Sequence, residues 1–125
     1  MGSTKQEQLQ SVLKELDGSP GMEGSAVITR DGLVIVSDLD KNIHADTFAA
    51  MSATMLGSAE AAMQQKGQDI VTRVIAEAKD SRLVALPCFE DSLLVSFVQS
   101  NADMESIRQL LQKFVDNAGR IVKGP

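Results

Sequence analysis

Few side chains in this chain have the type and spacing that chemistry needs. His44 is the only histidine, which excludes multi-histidine metal sites and paired imidazoles. It stands at the start of a long Ala- and Met-rich stretch and reads as a surface or capping residue. Cys88 is the only cysteine and lies in an apolar run. A thiol there is expected to be buried and inert, because a reactive thiolate needs an exposed, electropositive setting. A single cysteine also precludes an internal disulfide, which suits a reducing compartment. Neither G-x-x-x-x-G-K-[ST] nor G-x-G-x-x-G occurs, so phosphate cradles of those kinds are missing.

Asp38, Asp40, Asn42 and Asp46 fall at positions 1, 3, 5 and 9 of a calcium loop. The position that needs Gly holds Ile43, and the position that needs a bidentate Glu holds Ala49. The segment is therefore read as a polar loop. Glu60, Glu77, Glu90 and Asp91 are scattered and read as solvated surface. The expectation is no catalytic residue, no metal and no cofactor.

The stretch after His44 is more informative. From about 44 to 66 it holds no Pro and a single interior Gly, Gly57, so helix propensity is high. At about 100° per residue, Met51, Ser52, Met55, Ala59, Ala62 and Met63 gather within roughly 60° of Phe48. That face is expected to pack on a sheet. The opposite face should be charged but carries Ala49, Ala50, Ala53, Gly57 and Ala61, flanked by Glu60 and Gln64. Ala49, Ala53, Gly57 and Ala61 form an i, i+4 row of small residues, which lets another backbone approach closely. Gly57 costs about 1 kcal/mol of helix propensity relative to Ala, which good helix formers on a bare surface do not explain. The row, with Glu60 and Gln64, is read as a contact surface for a symmetry mate or another protein.

The remaining elements position this helix. Leu9, Val12, Leu13 and Leu16 repeat at i, i+3, i+4, i+7, predicting a one-sided helix over 5–17 that Gly18-Ser19-Pro20-Gly21 stops. Asp31-Gly32 joins two β-rich runs, 24–30 and 33–37, into a hairpin. After the long helix come strands at 70–78, 82–89 and 93–98, with Pro87 marking a bulge or strand end. Ile107, Leu110, Leu111 and Phe114 predict a last helix from about 103 to 117, closed by Ala118-Gly119 and capped by Asn101 or Asp103. The order α-β-β-α-β-β-β-α predicts an α+β, three-layer sandwich on a five-stranded, mostly antiparallel sheet. The 70–78 strand alternates, and Arg73 and Glu77 share a face with Val71 and Ile75. It is the expected exposed edge, which a second copy could extend across a two-fold axis.

Composition agrees with a small globular domain. The 125 residues are 43% hydrophobic and 23% charged, which suits one folded domain at 5–117 with loose ends at 1–4 and 118–125. Aromatic residues are 3%, too few for stacking platforms on single-stranded nucleic acid. A net charge of −5 and the absence of a basic stripe exclude the usual footprint for nucleic acid or anionic lipid. No apolar run reaches the roughly 18 residues that span a bilayer. No signal-peptide core leads the chain, and Gln6 stands where myristoylation wants Ser or Thr. The expectation is a soluble, cytoplasmic protein.

The whole pattern resembles the Roadblock/dynein-light-chain family, including its prokaryotic members. The pieces are the Leu9, Leu13, Leu16 helix running through Gly21-Met22-Glu23-Gly24, and the hairpin Arg30-Asp31-Gly32-Leu33-Val34-Ile35. The Ala-rich helix 48–63, the hairpin Arg82–Pro87 with Leu93-Leu94-Val95, and the closing Ile107-Arg108-Gln109-Leu110-Leu111 complete it. The resemblance implies a Roadblock/profilin-like fold and a dimer whose third strands pair and whose central helices lie side by side. It implies a non-enzymatic regulator or scaffold binding a small Ras-like GTPase, with a GTPase-activating role known among gliding-motility relatives. On this reading Ile70, Val71, Thr72, Arg73, Val74 and Ile75 form the dimer edge.

Two other readings stand beside it. A small-molecule sensor of the profilin or PAS kind would need an apolar cavity with convergent polar groups between sheet and helix. An arginine finger would draw on Arg30, Arg73, Arg82, Arg108 or Arg120.

Overall fold

A computed structural model describes residues 2–124. The chain runs α1(Lys5–Asp17), β1(Met22–Thr29), β2(Val34–Asp38), α2(Ala45–Gln64), β3(Val74–Glu77), β4(Ser81–Pro87), β5(Ser92–Gln99) and α3(Met104–Lys123). The expected order of elements holds. The strands form one antiparallel sheet in the order β2-β1-β5-β4-β3. The two hairpins are local, but β1 finds β5 across most of the sequence, with Ala26 opposite Val95 and Ile28 opposite Leu93.

The sheet separates two apolar layers. On one face α1 and α3 bring Leu9, Leu13, Leu16, Ile107, Leu111 and Phe114 against Val27, Val36, Val84, Leu94 and Val98. On the other, α2 lays Ala49 and Leu56 on Ala26, Ile28, Ala85, Leu93 and Val95. The result is the three-layer α+β sandwich that the order of elements predicts.

Helix ends follow capping chemistry. Thr4 and Glu7 close a capping box on α1. His44 caps α2, its Nδ1 accepting from the Thr47 N–H at 3.3 Å. Asp103 caps α3 through the Ser106 N–H at 3.1 Å.

Two boundaries differ from expectation by more than two residues. The 70–78 strand forms only over Val74–Glu77, and residues 70–73 lie in the connection from α2. The β3–β4 register pairs Val74 with Ala85, so its continuation would set Thr72 opposite Pro87. Pro87 has no N–H, and the ladder stops before it. The last helix does not end at Ala118-Gly119 but continues to Lys123. Ala118 is fully buried, Ile121 and Val122 pack on the core, and the Val122 carbonyl accepts from Lys5 Nζ at 2.5 Å. The apolar stripe outlasts the glycine, whose modest helix penalty it outweighs. Residues 118–123 are thus part of the packed domain rather than a loose end.

Candidate functional site

The surface around α2 begins with the β1–β2 hairpin. Gly32 has φ +88°, a conformation that side chains disfavour. A Cβ there would lie 2.9 Å from Ala50 Cα, so the hairpin tip rests directly on the α2 backbone. Arg30 fastens the same tip further along, its Nη1 lying 2.7 Å from Glu60 Oε1. Glu60, expected to meet a partner, is therefore engaged within the chain.

The helix is rotated from its expected setting. Ala49 is 0% exposed, and Ser52 and Leu56 are buried with it. Met51, expected beneath, is 64% exposed, and Met63 is 40% exposed. The buried centre falls near Leu56, about 80° round from Phe48 at 100° per residue. Phe48, the one aromatic ring of the helix, sits at the margin of the buried stripe, 5.0 Å from the Phe97 ring.

The row of small residues is split by the same rotation. An i, i+4 row advances about 40° per step, so four members sweep about 120°. Ala49 is consequently core and Ala53 half-buried, whereas Gly57 and Ala61 reach the surface. A Cβ on Gly57 would meet nothing within 4 Å. Gln64 is exposed just beyond. The outward face that the structure assembles is Met51, Thr54, Gly57, Ser58 and Ala61, small and nearly uncharged.

The layer is also narrow. Five strands at about 4.8 Å spacing span about 19 Å, while one helix with side chains is about 10 Å across. α1 and α3 fill the opposite face as a pair, but α2 lies alone. Phe48, Met55, Val71, Val74 and Leu83 are only partly covered as a result. Beside them β3 is an outer strand, with Ile75 exposed and Ile70 in the connection 87% exposed. Among the described residues no side chain donates to a β3 carbonyl.

Reactive groups are sparse. Cys88 is half-buried, and burial pushes its thiol up, away from thiolate reactivity. No group of three or more His, Cys, Asp or Glu among the described residues could hold a metal ion. Arg82 approaches Glu77 at 3.9 Å, Arg108 bonds Glu105 at 2.5 Å and Arg120 bonds Asn117. With Arg30 held by Glu60, Arg73 alone of the five lacks a partner among the described residues. The space between α2 and the sheet, where a sensor would hold its ligand, is filled by the buried side chains named above.

One polar cluster has almost no signature in the sequence. Ser25 and Ser96 face each other across β1 and β5, their Oγ atoms 2.7 Å apart. Ser25 also donates to Asp17 Oδ1 at 2.6 Å, while Asp17 Oδ2 is buried without a partner. Burial foremost, and then the neighbouring Asp38 carboxyl, raise the Asp17 pKa to about 7 against the pull of Ser25. An acid in the last turn of a helix, where the dipole disfavours negative charge, was the one available signal.

The Roadblock/LC7 domain family model matches residues 8–97. The chain belongs to the Roadblock/LC7 family. The match takes in the hairpin, α2, β3, β4 and β5 as far as Phe97. An uncharacterized protein of Methanocaldococcus jannaschii, MJ0714, is 29% identical over 105 residues, covering 84% of this chain and 88% of that protein. Among solved structures, MglB of Myxococcus xanthus superposes with a TM-score of 0.88 at 15% identity, covering 98% of this chain and 93% of MglB. The gliding protein MglB of Thermus thermophilus gives 0.85 at 19%, covering 98% and 94%. At these identities the likeness to MglB is one of fold. No helix of this Roadblock domain is long and apolar enough to cross a membrane, among the residues described.

Proposed function

We propose that this Roadblock domain is a homodimeric, non-enzymatic cytoplasmic regulator or scaffold that binds a small Ras-like GTPase. The observation that carries the reading is the half-filled α2 layer beside an open β3 edge. A second copy related by a two-fold axis would extend the sheet through Val74 and Ile75 and set its own α2 next to Phe48, Met51 and Met55. Ile70, Val71, Thr72 and Arg73 would flank that seam from the connection. The pairing would remove exposed apolar surface, the main favourable contribution to association.

The GTPase would meet the outward faces of the paired helices at Gly57, Ala61 and Gln64. Ala49 and Ala53 support that face from beneath, and Glu60 does so through Arg30. Any stimulation of GTP hydrolysis would act by shifting the GTPase's own residues into place.

The test uses sedimentation and GTPase binding together. The native chain is expected to sediment as a dimer and to retain a Ras-like GTPase of its host. Gly57→Arg should lose the GTPase while keeping fold and mass, and Gly57→Ala should keep both. A monomeric native chain sinks the dimer, and retention of the GTPase by Gly57→Arg sinks the assigned surface.

A further inference from the structure

The sheet has two outer strands, and the chain treats them differently. Outward-facing carbonyls of an outer strand have no ladder partner and invite another strand. On β3 they are left open. On β2 the Ile35 carbonyl accepts from Gln6 Nε2 at 3.0 Å, and the Ser37 carbonyl accepts from Gln10 Nε2 at 2.8 Å. Both amides come from α1.

The fit follows from the two repeats. Four residues of helix rise about 6 Å, and two residues of strand rise about 6.7 Å. A helix laid along a strand can therefore present i, i+4 side chains to i, i+2 carbonyls. Gln6 and Gln10 do so on Ile35 and Ser37. Leu9 and Leu13, on the adjoining face of the helix, are buried in the core and hold α1 in register. Gln8, on the same helix, turns away and donates to the Ser3 carbonyl instead. At β2 the ladder register also slips between Val27 and Ile28, where Ile35 is the extra residue. Such a bulge bends an outer strand away from regular pairing.

We infer that α1 is a lock on the β2 edge, its Gln6 and Gln10 amides occupying the carbonyls that a strand from a second copy of this chain would need. Sheet growth is thereby confined to β3. The inference deepens the dimer reading, since a dimer closed through β3 still carries a β2 edge at each end. Without the lock those edges pair, and closed dimers become open chains.

The test is sedimentation velocity of the full chain at rising concentration, for native protein, Gln6→Ala/Gln10→Ala and Gln8→Ala. Ala is the better helix former, so α1 is retained in the double variant. That variant is expected to form species roughly double the native mass or larger, dissociating on dilution. Amide exchange across residues 34–38 should slow in it only at high concentration. Gln8→Ala should behave as native. Gln6→Glu/Gln10→Glu breaks the same bonds but adds negative charge along the edge, and should stay at native mass. A folded Ala double variant with native mass at every concentration overturns the lock, as does growth that leaves 34–38 unprotected. A monomeric native chain overturns the β3 dimer alone, because the lock is read from growth beyond native mass.

Discussion

Gly32 and Ala50 meet backbone to backbone, with room for no Cβ between the hairpin tip and α2. Two costs fall on any replacement, the left-handed φ at position 32 and the contact with Ala50. Gly32→Ala is expected to lower stability by about 2–4 kcal/mol, combining backbone strain with overpacking. Urea unfolding followed by circular dichroism measures it. A midpoint equal to that of the native chain would mean that the hairpin does not bear on the helix.

The rotation of α2 has its own consequence. Leu56 is wholly buried and Met51 is mostly exposed. Leu56→Ala should cost about 2–5 kcal/mol, the range for emptying a core leucine site. Met51→Ala should change the stability of the monomer by no more than about 0.5 kcal/mol. Equal losses would return Met51 to the sheet-facing side. If copies pair through α2, Met51→Ala should instead weaken the dimer, visible as dissociation at higher concentration.

Asp17 makes stability depend on pH in an unusual direction. Its pKa is raised to about 7, so the folded chain holds this proton more tightly than the unfolded chain does. The contribution is fully present below about pH 4 and is lost as pH rises through about 7. Asp17→Asn keeps a hydrogen-bonding side chain beside Ser25 and cannot ionise. It should be more stable than the native chain at about pH 8, with that advantage shrinking towards about pH 4. Thermal unfolding of both proteins across this interval gives the difference directly. A difference that does not vary with pH would show that Asp17 ionises normally.

Much of the architecture is legible in one dimension because local signals agree with one another. Leucines at helical spacing in α1, Asp31-Gly32 between β-rich runs, and Pro87 at a strand end each act over a few residues. Together they imposed the element order, and the order with short turns imposed an antiparallel sheet. The same reasoning failed where a local stop signal competed with distant packing. Gly119 did not end α3, because Ala118, Ile121 and Val122 still had a core to meet.

The candidate site divides along the same line. Composition and periodicity alone determined that α2 is a long helix of small residues, next to an outer strand. Which residues of that helix point outward was decided only by tertiary structure. Ala49, Ala53, Gly57 and Ala61 are equivalent as a pattern, and only docking of Leu56 and Ser52 on the sheet separates core Ala49 from surface Gly57. The extent of β3 depended on its partner, since Pro87 is far from Thr72 in sequence and opposite it only in register. The Asp17–Ser25–Ser96 cluster and the Gln6 and Gln10 contacts with β2 also lay beyond the sequence. Polar side chains of these types are ordinarily solvated. What they do here depends on groups that the fold brings from 8 to 71 residues away.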